Sequence, residues 1–138
     1  MSESQRIQDF CRHLCVVYGW EYDSMWSKGR AALGRGGYNV QCARRERMVY
    51  ALRSLRDAHG EQLWSWPEMA GALTGAGHSS FVEMSQRYEQ RSAPVERTAL
   101  ILSARSEYEL FVLGESTHGS EHTAGQEGSG AGCAKVGA

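Results

Sequence analysis

Residues 65–84 read SWPEMAGALTGAGHSSFVEM, and the architecture of the chain turns on them. Ser65 stands directly before Trp66-Pro67-Glu68. A serine oxygen accepts from the backbone N–H three residues on, a carboxylate there returns the bond, and proline fits a first helical turn because its missing N–H has no partner to lose. The spacing predicts a helix from Ser65 onward, with Met69, Ala72 and Leu73 on its buried side. Gly75 and Gly77 then permit a tight turn. Phe81, Met84, Ser85 and Tyr88 resume at helical steps, so the stretch reads as a helix-turn-helix hinged at TGAG. His78, Ser79 and Ser80 fall in the first turn of the second helix, facing outward, where backbone N–H groups are unpaired and positively polarised. In units of this kind that bind DNA, that turn meets base edges. A serine cap beside an exposed histidine satisfies the same pattern without any ligand.

Upstream of this stretch the charge is lopsided. The chain carries a net charge of −1, yet Ser27–Arg56 holds eight cations (Lys28, Arg30, Arg35, Arg44, Arg45, Arg47, Arg53 and Arg56) against the single acid Glu46. From Ala93 to the end, Arg97, Arg105 and Lys135 face six glutamates. A basic block is first of all a solvated surface; beside a helix-turn-helix it becomes a candidate phosphate surface. Within it, GRAALGRGGYNV (29–40) holds four glycines in twelve residues, which predicts a flexible basic loop from Gly29 to Cys42. From Gln41 to Ala58, Met48, Leu52 and Leu55 form an apolar seam with Ala51 beside it and arginines on the flanks, predicting a long basic helix.

The opening residues supply the rest of the core. Ile7, Phe10, Cys11, Leu14, Val17 and Tyr18 recur at three- and four-residue steps, predicting a helix over 5–18 that stops at Gly19. Trp20, Tyr22, Met25 and Trp26 then offer a short helix at most, with bulky core contacts. Residues 92–113, with Val95, Leu100, Ile101, Leu110 and Val112, predict an additional helix that packs on the domain or on a second copy. From Gly114 onward large apolar residues give out, apart from Val136, and Gly, Ser and acids predominate, so residues 114–138 read as a disordered tail.

Several function classes lose ground. No run approaches a membrane span, and MSESQRIQDF lacks the charged head and apolar run of a signal peptide, so we expect a soluble cytoplasmic protein. Cys11, Cys15, Cys42 and Cys133 match no zinc spacing and read as reduced thiols; His118 and His122 sit in the tail, so no metal is assigned. The histidines lie in separate segments and converge with no base or nucleophile, so the chain does not read as an enzyme and no cofactor is expected.

Taken together, IQDFCRHLCVVYGW, SKGR, ARRERMVYALRSL and WPEMAGALTGAGHSSFVEMSQRYE resemble, in this order, the C-terminal double-stranded DNA-binding domain of the bacterial replication initiator DnaA. The resemblance covers about two-thirds of the chain, from Ile7 to Glu89. It implies an all-α helix-turn-helix domain over 5–92, followed by the additional helical segment 93–113 and the tail. It also implies base readout by His78, Ser79 and Ser80, which fall on the family's histidine and two threonines, and by Arg30, which falls on its minor-groove arginine. Lys28, Arg35, Arg44, Arg45 and Arg53, with Trp66 and Pro67, would meet the phosphate backbone.

The departures are equally specific. Gly77 replaces the family's usual acid, Glu46 an arginine, Arg47 a glutamine at a base-reading position, and Ser54 a lysine; the loop is longer and richer in glycine. The chain contains no G-x-x-x-x-G-K-[ST] loop, so we expect a stand-alone module that binds no nucleotide. The expected function is sequence-specific duplex binding in a small, nucleoid-associated regulator of replication or transcription. The alternative is a protein-interaction module whose basic helical face binds an acidic partner such as a replication or transcription factor.

Overall fold

The computed structural model describes residues 2–26, 30–75 and 77–123, with side chains described over 2–26, 40–75 and 77–115. The chain is mostly helical, with no strand among the described residues beyond an isolated bridge between Arg56 and Gln62. It divides into two units, Met1–Arg105 and Ser106–Ala138.

Helix α1 (Glu3–Tyr18) begins at Ser2, whose side chain accepts from the Gln5 N–H, and ends at Gly19. Gly19 adopts φ 74°, the left-handed conformation that lets its N–H reach back to the carbonyls of Cys15 and Val16 and that L side chains rarely tolerate. Ile7, Phe10, Cys11, Leu14 and Cys15 are its buried stripe, whereas Val17, expected on it, is exposed and Tyr18 is half-buried, because the core recedes from the last turn. As the i, i+4 spacing requires, Cys11 and Cys15 lie side by side. Burial pushes the Cys11 thiol well above the usual thiol range, while its hydrogen bond to Cys15 lowers the latter. Helix α2 (Tyr22–Met25) is a single turn, in which Met25 is fully buried.

Helix α3 (Arg30–Arg53) differs from expectation at its start. The predicted basic loop from Gly29 to Cys42 is helical from Arg30 onward. Glycine costs roughly 1 kcal/mol per position relative to alanine, but a helix already nucleated by the packed 41–53 segment extends one hydrogen bond at a time, without a second nucleation. The seam is otherwise as read, with Met48, Ala51, Leu52 and Leu55 buried and Val49 and Tyr50 joining them. The helix closes at Arg53, short of the predicted Ala58, and Ser54 and Leu55 tighten the end with bonds back to the carbonyls of Ala51 and Leu52.

Helix α4 (Trp66–Leu73) carries the full capping box: Ser65 Oγ accepts from the Glu68 N–H at 3.2 Å and Glu68 Oε1 accepts from the Ser65 N–H at 2.8 Å. It packs on α1, where Gln8 Nε2 donates to the Ala72 carbonyl at 2.7 Å. The indole N–H of buried Trp64, just ahead of α4, donates to Glu3 Oε2 at 2.7 Å. Helix α5 (Ser79–Arg91) follows after residues 74–78, with Gly75 at φ 72° in the turn. It packs chiefly on α3 and buries Phe81, Ser85 and Tyr88.

Helix α6 (Pro94–Thr123) starts where the additional helix was expected. It continues past the predicted tail boundary at Gly114 to Thr123, again by extension of an established helix; residues 124–138 lie outside the described residues. In the first unit Leu100 and Ala104 are buried, the Tyr18 and Ser103 hydroxyls are 3.1 Å apart, and Arg105 Nε donates to the Ser54 carbonyl at 3.0 Å. In the second, Tyr108 and Phe111 pack ring against ring at 6.2 Å, and Leu110 and Leu113 are exposed. Among the described residues no helix is long and apolar enough to cross a membrane.

Candidate functional site

The turn between α4 and α5 leads directly into the candidate site. Gly77, His78, Ser79 and Ser80 are all exposed. His78 is the N-cap of α5 but makes no side-chain cap bond; its carbonyl accepts from the N–H groups of Phe81 and Val82 at 3.0 and 3.2 Å. The helix thus opens with outward-facing imidazole and hydroxyl groups at its positively polarised end.

What holds this turn in place lies one residue further on. Phe81 is buried, and its ring stacks on Trp26 with centroids 5.8 Å apart and planes 18° from parallel. Trp26 immediately precedes the basic segment Ser27–Arg30 in sequence. Lys28 lies outside the described residues; Arg30 and Arg35 lie on α3, and their side chains lie outside them too. Trp66 is half-buried and Pro67 exposed at the start of α4.

The described arginines of α3 divide by what they touch. Arg45 donates from Nε to the Met25 carbonyl and ties α3 to α2. Arg53 donates to Ser85 Oγ at 2.9 Å, lies 3.9 Å from Glu89 and sits 4.9 Å over the Tyr50 ring. Arg44 and Arg47 flank the Trp20 ring at 5.8 and 5.7 Å, and Arg47 is 3.6 Å from Glu96 at the start of α6. Arg44 is half-buried; Arg47 and Arg56 are exposed. The predicted phosphate surface is therefore uneven, because Arg45 and Arg53 also hold helices together.

Two features of the site carried only a faint sequence signal. Glu46, the one acid of the basic block, is buried and receives Arg87 Nε at 2.9 Å and Arg91 Nη1 at 3.2 Å, both from α5. Its isolation among cations was the visible clue; its partners, more than forty positions away, were not. The second is a cavity of about 440 Å³ lined by Tyr18, Trp20, Arg47, Tyr88, Glu96 and Ser103, among others. There the Tyr88 hydroxyl donates to Glu96 at 3.2 Å, and burial, with the neighbouring carboxylate, raises the Tyr88 pKa. Among the described residues no three His, Cys, Asp or Glu side chains converge on a metal position.

No family model, curated protein or solved structure matches the chain.

Proposed function

We propose that the chain binds double-stranded DNA and reads its sequence through the first turn of α5. The observation that carries this reading is the contrast between the two sides of that helix: Phe81, Ser85 and Tyr88 are buried, while His78, Ser79 and Ser80 are exposed at its N-terminus. A helix held along one side and opening with small hydrogen-bonding side chains suits insertion into a major groove about 12 Å wide. His78, Ser79 and Ser80 would meet base edges and nearby phosphates. Arg30 would add minor-groove readout, and Lys28, Arg35 and Arg44, with Trp66 and Pro67, would meet the backbone. Arg47, Arg45 and Arg53 can join them only by loosening the internal contacts already described. The resemblance to the DnaA DNA-binding domain supports the same assignment, and with it a role in replication or transcription control.

The test is fluorescence anisotropy with the full chain, a duplex carrying a DnaA-type box and a scrambled duplex, each at two salt concentrations. A preference of roughly tenfold or more for one duplex sequence, found directly or by selection from random duplexes, supports base readout. Steep salt dependence without preference reduces the reading to backbone binding. No binding to any duplex at low salt overturns it in favour of an acidic protein partner.

A further inference from the structure

Glu46 is the only buried charged residue among the described side chains, 6% exposed in the middle of the most basic part of the chain. A buried carboxylate persists only when paired and hydrogen-bonded, because its removal from water is strongly unfavourable. Here both oxygens are engaged: Arg87 Nε donates to Oε2 at 2.9 Å, and Arg91 Nη1 lies 3.2 Å from Oε1 and 3.4 Å from Oε2. Further along the same two helices the Tyr50 and Tyr88 rings pack at 4.9 Å, and Arg53 donates to Ser85, itself 1% exposed. As the position on α3 rises from Glu46 through Tyr50 to Arg53, its partner on α5 falls from Arg91 through Tyr88 to Ser85. The two helices run antiparallel, and three unlike contacts fix one register between them.

We infer that Glu46 is a positioning residue: it holds α5, and with it the His78–Ser80 turn, at a set height and rotation on α3, and so determines which duplex sequence that turn accepts. The inference rests on the DNA reading above. Base readout depends on donors and acceptors held within about half an ångström by residues whose own rotamers are locked, and Glu46 provides such support from behind α5. It does not touch DNA itself, since its charge is neutralised by two guanidiniums and shielded from solvent. Arg87 and Arg91, with side chains 43% and 68% exposed, carry the outer part of the clasp.

The test compares the full-length chain with Glu46→Gln and with Arg87→Lys, which keeps a charge on the carboxylate. Two quantities are read: the affinity ratio between a duplex selected by the wild-type chain and its scrambled counterpart, and amide hydrogen exchange along α5. Glu46→Gln is expected to lower the ratio by roughly tenfold while affinity for the scrambled duplex changes by less than about twofold, with exchange accelerated in α5 and not in α4. Arg87→Lys is expected to retain most of the ratio. An unchanged ratio, or equal weakening on both duplexes, overturns the inference. Should the wild-type chain discriminate between no duplexes, the DNA reading fails and exchange alone judges the clasp: faster exchange in α5 upholds positioning by Glu46, and unchanged exchange refutes it.

Discussion

The Trp26 ring lies nearly parallel to that of Phe81, 5.8 Å away, and ties the end of α2 to the first turn of α5. An aromatic stack of this kind is worth about 0.5–1.5 kcal/mol beyond the area it covers. Trp26→Leu should therefore lower stability by about 1 kcal/mol or more, measured by urea unfolding. It should also weaken duplex binding at concentrations where the variant remains folded, because Phe81 and the first turn of α5 lose the ring they stack on.

His78 and Arg44 should fail in different ways. His78→Ala is expected to narrow the gap between preferred and scrambled duplexes. Arg44→Ala should weaken both alike and reduce the slope of log affinity against log salt by about 1. The check is an anisotropy titration of both variants against both duplexes over a salt series; matching behaviour of the two variants would remove the distinction between reading and backbone contact.

Ser65→Ala removes the hydroxyl that accepts from the Glu68 N–H while leaving helix propensity almost unchanged. The expected loss is about 1 kcal/mol, the usual cost of an N-cap deletion. Thr at the same position should recover most of it, which a denaturant midpoint measures directly.

Asp57 gives the fold a predictable acid response. Its Oδ1 accepts from the N–H groups of Glu61 and His59, at 3.0 and 2.8 Å, and those backbone bonds, the Glu61 bond foremost, hold its carboxyl below the usual range. A group with a depressed folded pKa stabilises the fold above its unfolded pKa of about 3.9 and loses that contribution as pH falls through the folded value. Asp57→Asn should flatten the fall in unfolding midpoint below about pH 4, relative to wild type, and change little at neutral pH beyond a constant offset.

Thiol chemistry should follow burial. Cys11 and Cys15 are buried on α1, whereas Cys42 is half-exposed on α3. In a Cys133→Ser background, maleimide should modify one thiol readily in native conditions, at Cys42, and the other two only after denaturant is added. Mass spectrometry of the labelled chain reads the order.

Local chemistry explains what was legible beforehand. The Ser65–Glu68 pair, the stop at Gly19 and the stripes of α1 and α3 depend on neighbours within a few residues, and they appear where the spacing put them except at the last turn of α1, where Val17 is exposed. The start of α3 was not legible, because the glycines of 29–40 disfavour a helix in isolation while the packed segment after them propagates one. The end of α6 escaped for the same reason. Of the site, the exposure of His78, Ser79 and Ser80 followed from their place in the helical turn. The inward commitments of Arg45, Arg53 and Glu46 did not, since they depend on how α2, α3 and α5 meet, and no periodicity encodes a partner on another helix.

The contact between Arg105 and the Ser54 carbonyl bears on where the chain can be shortened. The carboxyl end of α3 leaves backbone oxygens without helical partners, and this one is served by a guanidinium 51 positions away. A fragment ending just after Arg105 keeps that oxygen satisfied, along with the Tyr18–Ser103 and Arg47–Glu96 contacts. A fragment ending at Ser92, the boundary a motif search would choose, discards all three. The practical minimum for expression is therefore set by a helix that lies outside the motif altogether.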